Sequence, residues 1–140
     1  MGVLITGPNK MEEDDLEMWC KKIQKKLSNK SVLLLAKGCR QWTGSTKARK
    51  GRGATYGRMN VRIPGSNSRI RMSVHRLAYI VQTKNLTLSR EYDVSHVCHN
   101  SLCVNFEHLS LEPRSINNCR KACKKGRLCM GHGSYPHCML

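Results

Sequence analysis

The stretch "SHVCHN", residues 95–100, sets two histidines and a cysteine within six positions, and Cys103 and His108 follow at even spacing. Cys98-x4-Cys103-x4-His108 supplies thiolates and an imidazole, the donors of tetrahedral zinc, and a closed site then needs a fourth ligand from elsewhere. Cys39 is the candidate, because it follows a run that reads as a strand able to lie beside this segment. A second set, Cys123, Cys129, His132 and Cys138, falls in "CKKGRLCMGHGSYPHC". That tail has almost no apolar residues, so metal is its natural organiser. Cys119 and His137 compete for places in the second set. Both sets look closed by four protein ligands, as structural zinc requires. Cys20, beside Trp19 on a helical pattern, reads as a buried thiol.

His96 is needed by neither set. On a strand it shares a face with Cys98, and its neutral imidazole can take a proton from water near pH 7. A lone histidine is more often structural, but Asn117 and a basic scaffold change the odds. Phosphodiester hydrolysis needs an activated water and a divalent metal. The Asn117 amide oxygen is a hard donor that suits magnesium.

The scaffold is basic and uneven. The chain has 140 residues, a net charge of +16 and eight cysteines, enough for one domain with a modest, cross-linked core. Five of the nine acidic residues lie in Glu12–Glu17, and from Met18 to Arg90 there is none, against 18 lysines and arginines. Nucleic acid is the partner such an imbalance implies. The longest apolar run, "VLLLA" at 32–36, is far too short to span a membrane, and no basic amphipathic helix carries bulky apolar anchors. No membrane partner and no small-molecule cofactor are expected. No export signal is visible, so reduced cysteines and an intracellular, nuclear location are expected, with "KARKGR" as a nuclear address or a set of phosphate contacts.

These groups must be positioned by local structure. Residues 12–28 read as a helix, with acids at its start, lysines at its end and a stripe of Leu16, Trp19, Ile23 and Leu27. "SVLLLAKGCRQWTG" reads as a buried strand running into a turn, and 45–57 as a Gly-, Lys- and Arg-rich loop, flexible until it meets an anion. "YGRMNVRI" and "SRIRMSV" around "PGSNS" read as a hairpin. It presents Arg58, Arg62, Arg69 and Arg71 as a ribbon suited to the DNA major groove. Lys47, Arg49, Lys50 and Arg52 are expected to hold the phosphate backbone. Residues 74–83 read as a helix with Leu77, Ile80 and Val81 inward. A strand ending at His96, a turn, a return strand to Pro113 and a helix from Arg114 complete the pattern. The expected fold is α+β, a single domain over 1–140. Its parts are the 12–28 helix, a basic sheet and helix over 32–90, a strand–strand–helix unit over 93–122 and a zinc loop over 123–138.

Residues 95–138 resemble the His-Cys box homing endonucleases, a branch of the ββα-metal (His-Me finger) nucleases. The resemblance is carried by "SHVCHNSLCVNFEHL" and by the run from Asn117 through Cys123, Cys129, His132 and Cys138. "VHRLAY" at 74–79 also looks like the segment before the catalytic histidine of HNH-type nucleases. The resemblance implies two structural zinc ions, one held by Cys39, Cys98, Cys103 and His108 and one by Cys123, Cys129, His132 and Cys138. It implies further that His96 activates water, that Asn117, 21 positions on, binds the one catalytic magnesium in preference to Asn118, and that Arg58 contacts the scissile phosphate. A magnesium-dependent, site-specific endonuclease of double-stranded DNA, with a homodimer as a possible assembly, is therefore expected. A low-specificity nuclease of the same superfamily and a zinc-stabilised DNA-binding module without cleavage activity are the rivals. A disulfide-rich secreted basic protein is the third alternative, and it predicts no zinc.

Overall fold

The computed structural model describes residues 13–48 and 55–140. Helix α1 (Glu13–Asn29) opens with Glu13, Asp14 and Asp15 and closes with Lys26, charges that match the helix dipole. Its buried face is Trp19, Cys20, Ile23 and Leu27, and Leu16 packs partly against the same core. The Trp19 indole N–H donates to the Arg62 carbonyl at 2.9 Å, which ties the helix to the end of the central sheet. Glu12, the first residue expected in this helix, lies outside the described residues.

The run expected as one buried strand is instead a small exposed hairpin. Strand β1 (Ser31–Leu33) pairs antiparallel with β2 (Arg40–Trp42), and Leu33 and Leu35 are 57% and 92% exposed. The apolar run misleads because the hairpin lies at the edge of the fold, with only Ser31 and Trp42 turned inward. Strand β2 is fastened on its other side, where Trp42 N–H donates to Leu102 O at 2.9 Å and Val104 N–H to Arg40 O at 2.8 Å.

The basic loop expected over 45–57 is also corrected. Strand β3 (Thr46–Ala48) and the start of β4 (Thr55–Arg62) pair antiparallel, and β5 (Arg69–Ser73) completes a three-stranded sheet in the order β3-β4-β5. Arg49, Lys50 and Arg52 lie outside the described residues. One face of the sheet sends Gly57, Met59, Val61, Ile70 and Met72 toward the core, while Lys47, Tyr56, Arg58, Arg62, Arg69 and Arg71 occupy the other by strand alternation.

Helix α2 (Val74–Thr83) follows β5 directly and buries Val74, Leu77, Ala78, Ile80 and Val81 against the sheet and α1. Lys84 ends it in the left-handed conformation, at φ 57°. Strands β6 (Tyr92–His96) and β7 (Leu109–Pro113) then form an antiparallel pair, joined through a 3-10 turn at Phe106–His108, and α3 (Arg114–Gly126) follows at once. Among the described residues Cys39, Cys98 and Cys103 form a smaller cluster apart from the main apolar one, which includes Trp42, Val74, Leu77 and Ile80. Burying each such side chain contributes about 1.5–3 kcal/mol, and the cluster places the N-terminus of α2 beside the end of β6. Among the described residues no helix is long and apolar enough to cross a membrane.

Candidate metal clusters and active-site cleft

Two groups of four cysteine and histidine side chains converge. Cys39, Cys98, Cys103 and His108 are all buried, and their donor atoms lie within 4.8 Å of one another. Cys39 stands just before β2, and its partners lie beyond β6, so the β2 attachment to 102–104 is what brings them together. Asn105 sets the 3-10 turn that carries His108: its Oδ1 accepts from Glu107 N at 3.1 Å, and its Nδ2 donates to Gly38 O at 2.9 Å.

The donor geometry fits zinc. Metal bonds of about 2.3 Å to sulfur and about 2.0 Å to nitrogen give a tetrahedral S···N edge of about 3.5 Å. Cys39 and Cys103 Sγ lie 3.6 and 3.5 Å from His108 Nδ1. Electrostatics agree, because clustered thiols cannot all ionise without a cation. The Cys98 side chain donates to Cys103 and holds that thiol down to about 5, while the same contact drives Cys98 upward. A dication would satisfy both.

The second group is Cys123, Cys129, His132 and Cys138. Its three sulfurs lie 3.6, 3.3 and 3.4 Å from His132 Nε2, again near the tetrahedral edge. The Cys138 amide donates to Cys129 Sγ at 3.3 Å and brings that thiol down to about 6. Gly131 stands at φ 98°, a conformation that favours glycine, and a Cβ there would lie 3.3 Å from the His137 ring. Neither competing ligand joins the group, Cys119 being exposed on α3. Cys20 is buried in the core, apart from both groups.

His96 and Asn117 line one open cleft of about 640 Å³ with Lys47, Tyr56, Arg58 and Arg114. The His96 Nε2 lies 3.1 Å from the Cys103 carbonyl. A carbonyl only accepts, so Nε2 carries the proton and Nδ1 keeps its lone pair. Burial brings the His96 pKa down to about 4, against a smaller upward pull from that carbonyl, so the ring is neutral at neutral pH. Asn117 is fixed at both ends of its amide. Ser95 Oγ donates to its Oδ1 at 2.8 Å, and its Nδ2 donates to Asp93 Oδ2 at 3.2 Å. The second lone pair of that oxygen remains for a hard cation, which needs few protein ligands. Asn118 is exposed and accepts from Lys121 Nζ at 3.3 Å.

The cleft also holds His75 and Arg76, residues the sequence reading quoted within "VHRLAY" without assigning them a place in the site. The His75 and His96 rings lie 4.4 Å apart, with Tyr56 5.5 Å from His75. Burial, then the charges of His96, Arg76 and Arg58, hold the His75 pKa well below the ordinary value. Arg58 Nε, His75 Nδ1, and Arg76 Nε and Nη2 are buried without hydrogen-bond partners among the described residues. The three arginine nitrogens are donors, costly to leave unsatisfied, and their convergence in a cleft suits an anionic ligand; the neutral His75 ring offers Nδ1 as an acceptor. Outside the cleft, Arg62, Arg69 and Arg71 are exposed on the outer face of the sheet, and Arg62 stands directly opposite Arg69.

Residues 39–138 match a family model described as the zinc-binding loop region of homing endonuclease. No curated protein and no solved structure matches the chain.

Proposed function

The chain belongs to the family defined by the zinc-binding loop of homing endonucleases, and on that premise we propose that it is a magnesium-dependent, site-specific endonuclease hydrolysing phosphodiester bonds of double-stranded DNA. The observation that carries the reading is the meeting, in one cleft, of a neutral imidazole, a fixed amide oxygen and unpartnered arginine nitrogens. His96 is the general base: Nδ1 accepts a proton from water as the water oxygen attacks phosphorus, and the Cys103 carbonyl steadies the ring through Nε2. Arg58 and Arg76 hold the non-bridging oxygens, whose charge grows as the bond to the leaving oxygen breaks. Magnesium held at the Asn117 oxygen supplies charge neutralisation at the phosphate and the leaving group. Two zinc ions would be held at Cys39/Cys98/Cys103/His108 and Cys123/Cys129/His132/Cys138, and with four protein donors offered in each group their part would be structural.

Lys47, Arg58, Arg62, Arg69 and Arg71 are the proposed DNA-reading face, with Arg49, Lys50 and Arg52 added from outside the described residues. Two observations support it. Arginines placed directly opposite across strands repel, and residues 55–73 contain no carboxylate to relieve them. The face runs into the cleft through Lys47, Tyr56 and Arg58. Breaking both strands of a duplex takes two clefts or two visits, so a homodimer belongs to this proposal, as does action in the nucleus.

The test is cleavage of a randomised duplex library by zinc-loaded protein, with sequencing of the new ends. Magnesium-dependent ends at one sequence motif are expected. Ends spread over many sequences would indicate the low-specificity nuclease, and tight binding with no ends would indicate the DNA-binding module.

A further inference from the structure

Helix α3 carries Asn117, yet only one of its residues is buried, and that residue is Arg120. It has no apolar seam against the strands beneath it. The contacts are polar instead. Asp93 and Ser95 of β6 stand opposite Glu112 and Ser110 of β7, so all four side chains face the helix side of the pair. Across the gap Arg114 meets Asp93 at 3.4 Å, Asn117 meets Asp93 and Ser95, and Arg120 meets Glu112.

The last contact is the tightest. Arg120 Nε donates to Glu112 Oε2 at 2.7 Å and Nη2 to Oε1 at 2.8 Å, a bidentate pair whose side chains are 2% and 0% exposed. The guanidinium does not stop there. Nη2 donates to Pro136 O at 2.8 Å, and Nη1 to Cys138 Sγ at 3.3 Å. One planar group thus joins β7, α3 and the loop that closes the second cluster.

Asn117 and Arg120 are three positions apart, neighbours on one face of the helix. Any slip or rotation of α3 at Arg120 therefore moves the Asn117 amide with it. We infer that Arg120 and Glu112 are positioning residues: they set the register of α3 that aims the Asn117 oxygen into the cleft, and they couple that register to the second Cys/His cluster. The inference rests on the reading of Asn117 as the magnesium ligand. Of the ion pairs that hold α3 to the strands, Arg114–Asp93 is partly exposed and Arg120–Glu112 is buried, which makes the latter the stronger key to the helix register.

The test follows the Asn117 side-chain amide by NMR in zinc-loaded protein titrated with magnesium chloride, with zinc content measured alongside and the Trp42 indole as a monitor of the core. Arg120→Lys keeps the charge but loses the planar fork that reaches Glu112, Pro136 and Cys138 together. The half-saturating magnesium concentration is expected to rise at least five-fold in this variant and in Cys138→Ala, with the Trp42 signal unchanged. If Arg120→Lys does not fold, Glu112→Gln, which keeps the shape and removes one charge, carries the same expectation. An unchanged midpoint in a folded variant overturns the inference while leaving the wild-type metal site intact. A wild-type amide indifferent to magnesium overturns the Asn117 assignment, and this inference with it.

Discussion

At the scale of single residues, the cleft depends on imidazoles kept neutral by burial. His75 is the sharper case: half-buried in the cleft, 4.4 Å from His96, and pressed by Arg58 and Arg76. Its folded pKa lies below its unfolded value, so below about pH 6.5 the unfolded chain binds a proton that the folded chain refuses. Stability of the free protein should therefore fall as pH drops from 7.5 to 5.5, with this residue contributing up to about 1.4 kcal/mol per pH unit. His75→Gln should flatten that part of the slope in paired denaturation curves at the two pH values; an identical slope would show that His75 titrates normally. The two histidines differ in how far the sequence revealed them. His96 stands beside zinc-type ligands that do not need it, and Asn117, the basic scaffold and the family resemblance drew it out as a candidate. His75 and Arg76 read as the opening of an amphipathic helix, and nothing in a 3.6-residue period tells that the helix starts beside β6.

At the scale of elements, the sequence was most informative where one segment settles its own structure. Helix α2 over 74–83, the strand ending at His96 and the return strand to Pro113 lie where the pattern put them. The second metal group is also local, all within Cys123–Cys138. Cys39 is different, because its place beside Cys103 comes from β2 bonding to residues 102 and 104, a pairing invisible to local pattern. The apolar run at 32–36 failed for the opposite reason: hydrophobicity implied burial, but the edge hairpin leaves Leu33 and Leu35 in solvent. The loop expected over 45–57 hid two strand segments because glycine and charge mask strand propensity. Gly57 shows what holds that sheet to the core. A Cβ there would stand 2.5 Å from Trp42 Cδ1 and 2.5 Å from Val74 Cγ2, both on buried side chains. Gly57→Ala should cost about 1–3 kcal/mol by overpacking, measured by chemical denaturation; a neutral result would mean that the Trp42 and Val74 contacts yield.

At the scale of the whole molecule, the architecture separates two tasks. One apolar core serves α1, α2 and the three-stranded sheet, while α3 and the tail depend on polar contacts and the second cluster. On the proposed reading, the outer face of the sheet meets the cleft at Lys47, Tyr56 and Arg58, so a duplex lying along the sheet would bring a phosphate toward His96. A net charge of +16 draws that duplex in without choosing its sequence. Family membership suggests a nuclease, and on the proposed reading its chemistry turns on one imidazole. The most direct measurement is single-turnover cleavage of a duplex cut by the wild type, with magnesium saturating and DNA binding followed by anisotropy, for wild type beside a zinc-loaded His96→Ala variant. Binding should be unchanged and the cleavage rate should fall by about 10²–10⁴-fold, the contribution of a general base. A variant that binds equally and cuts at the wild-type rate would contradict the account.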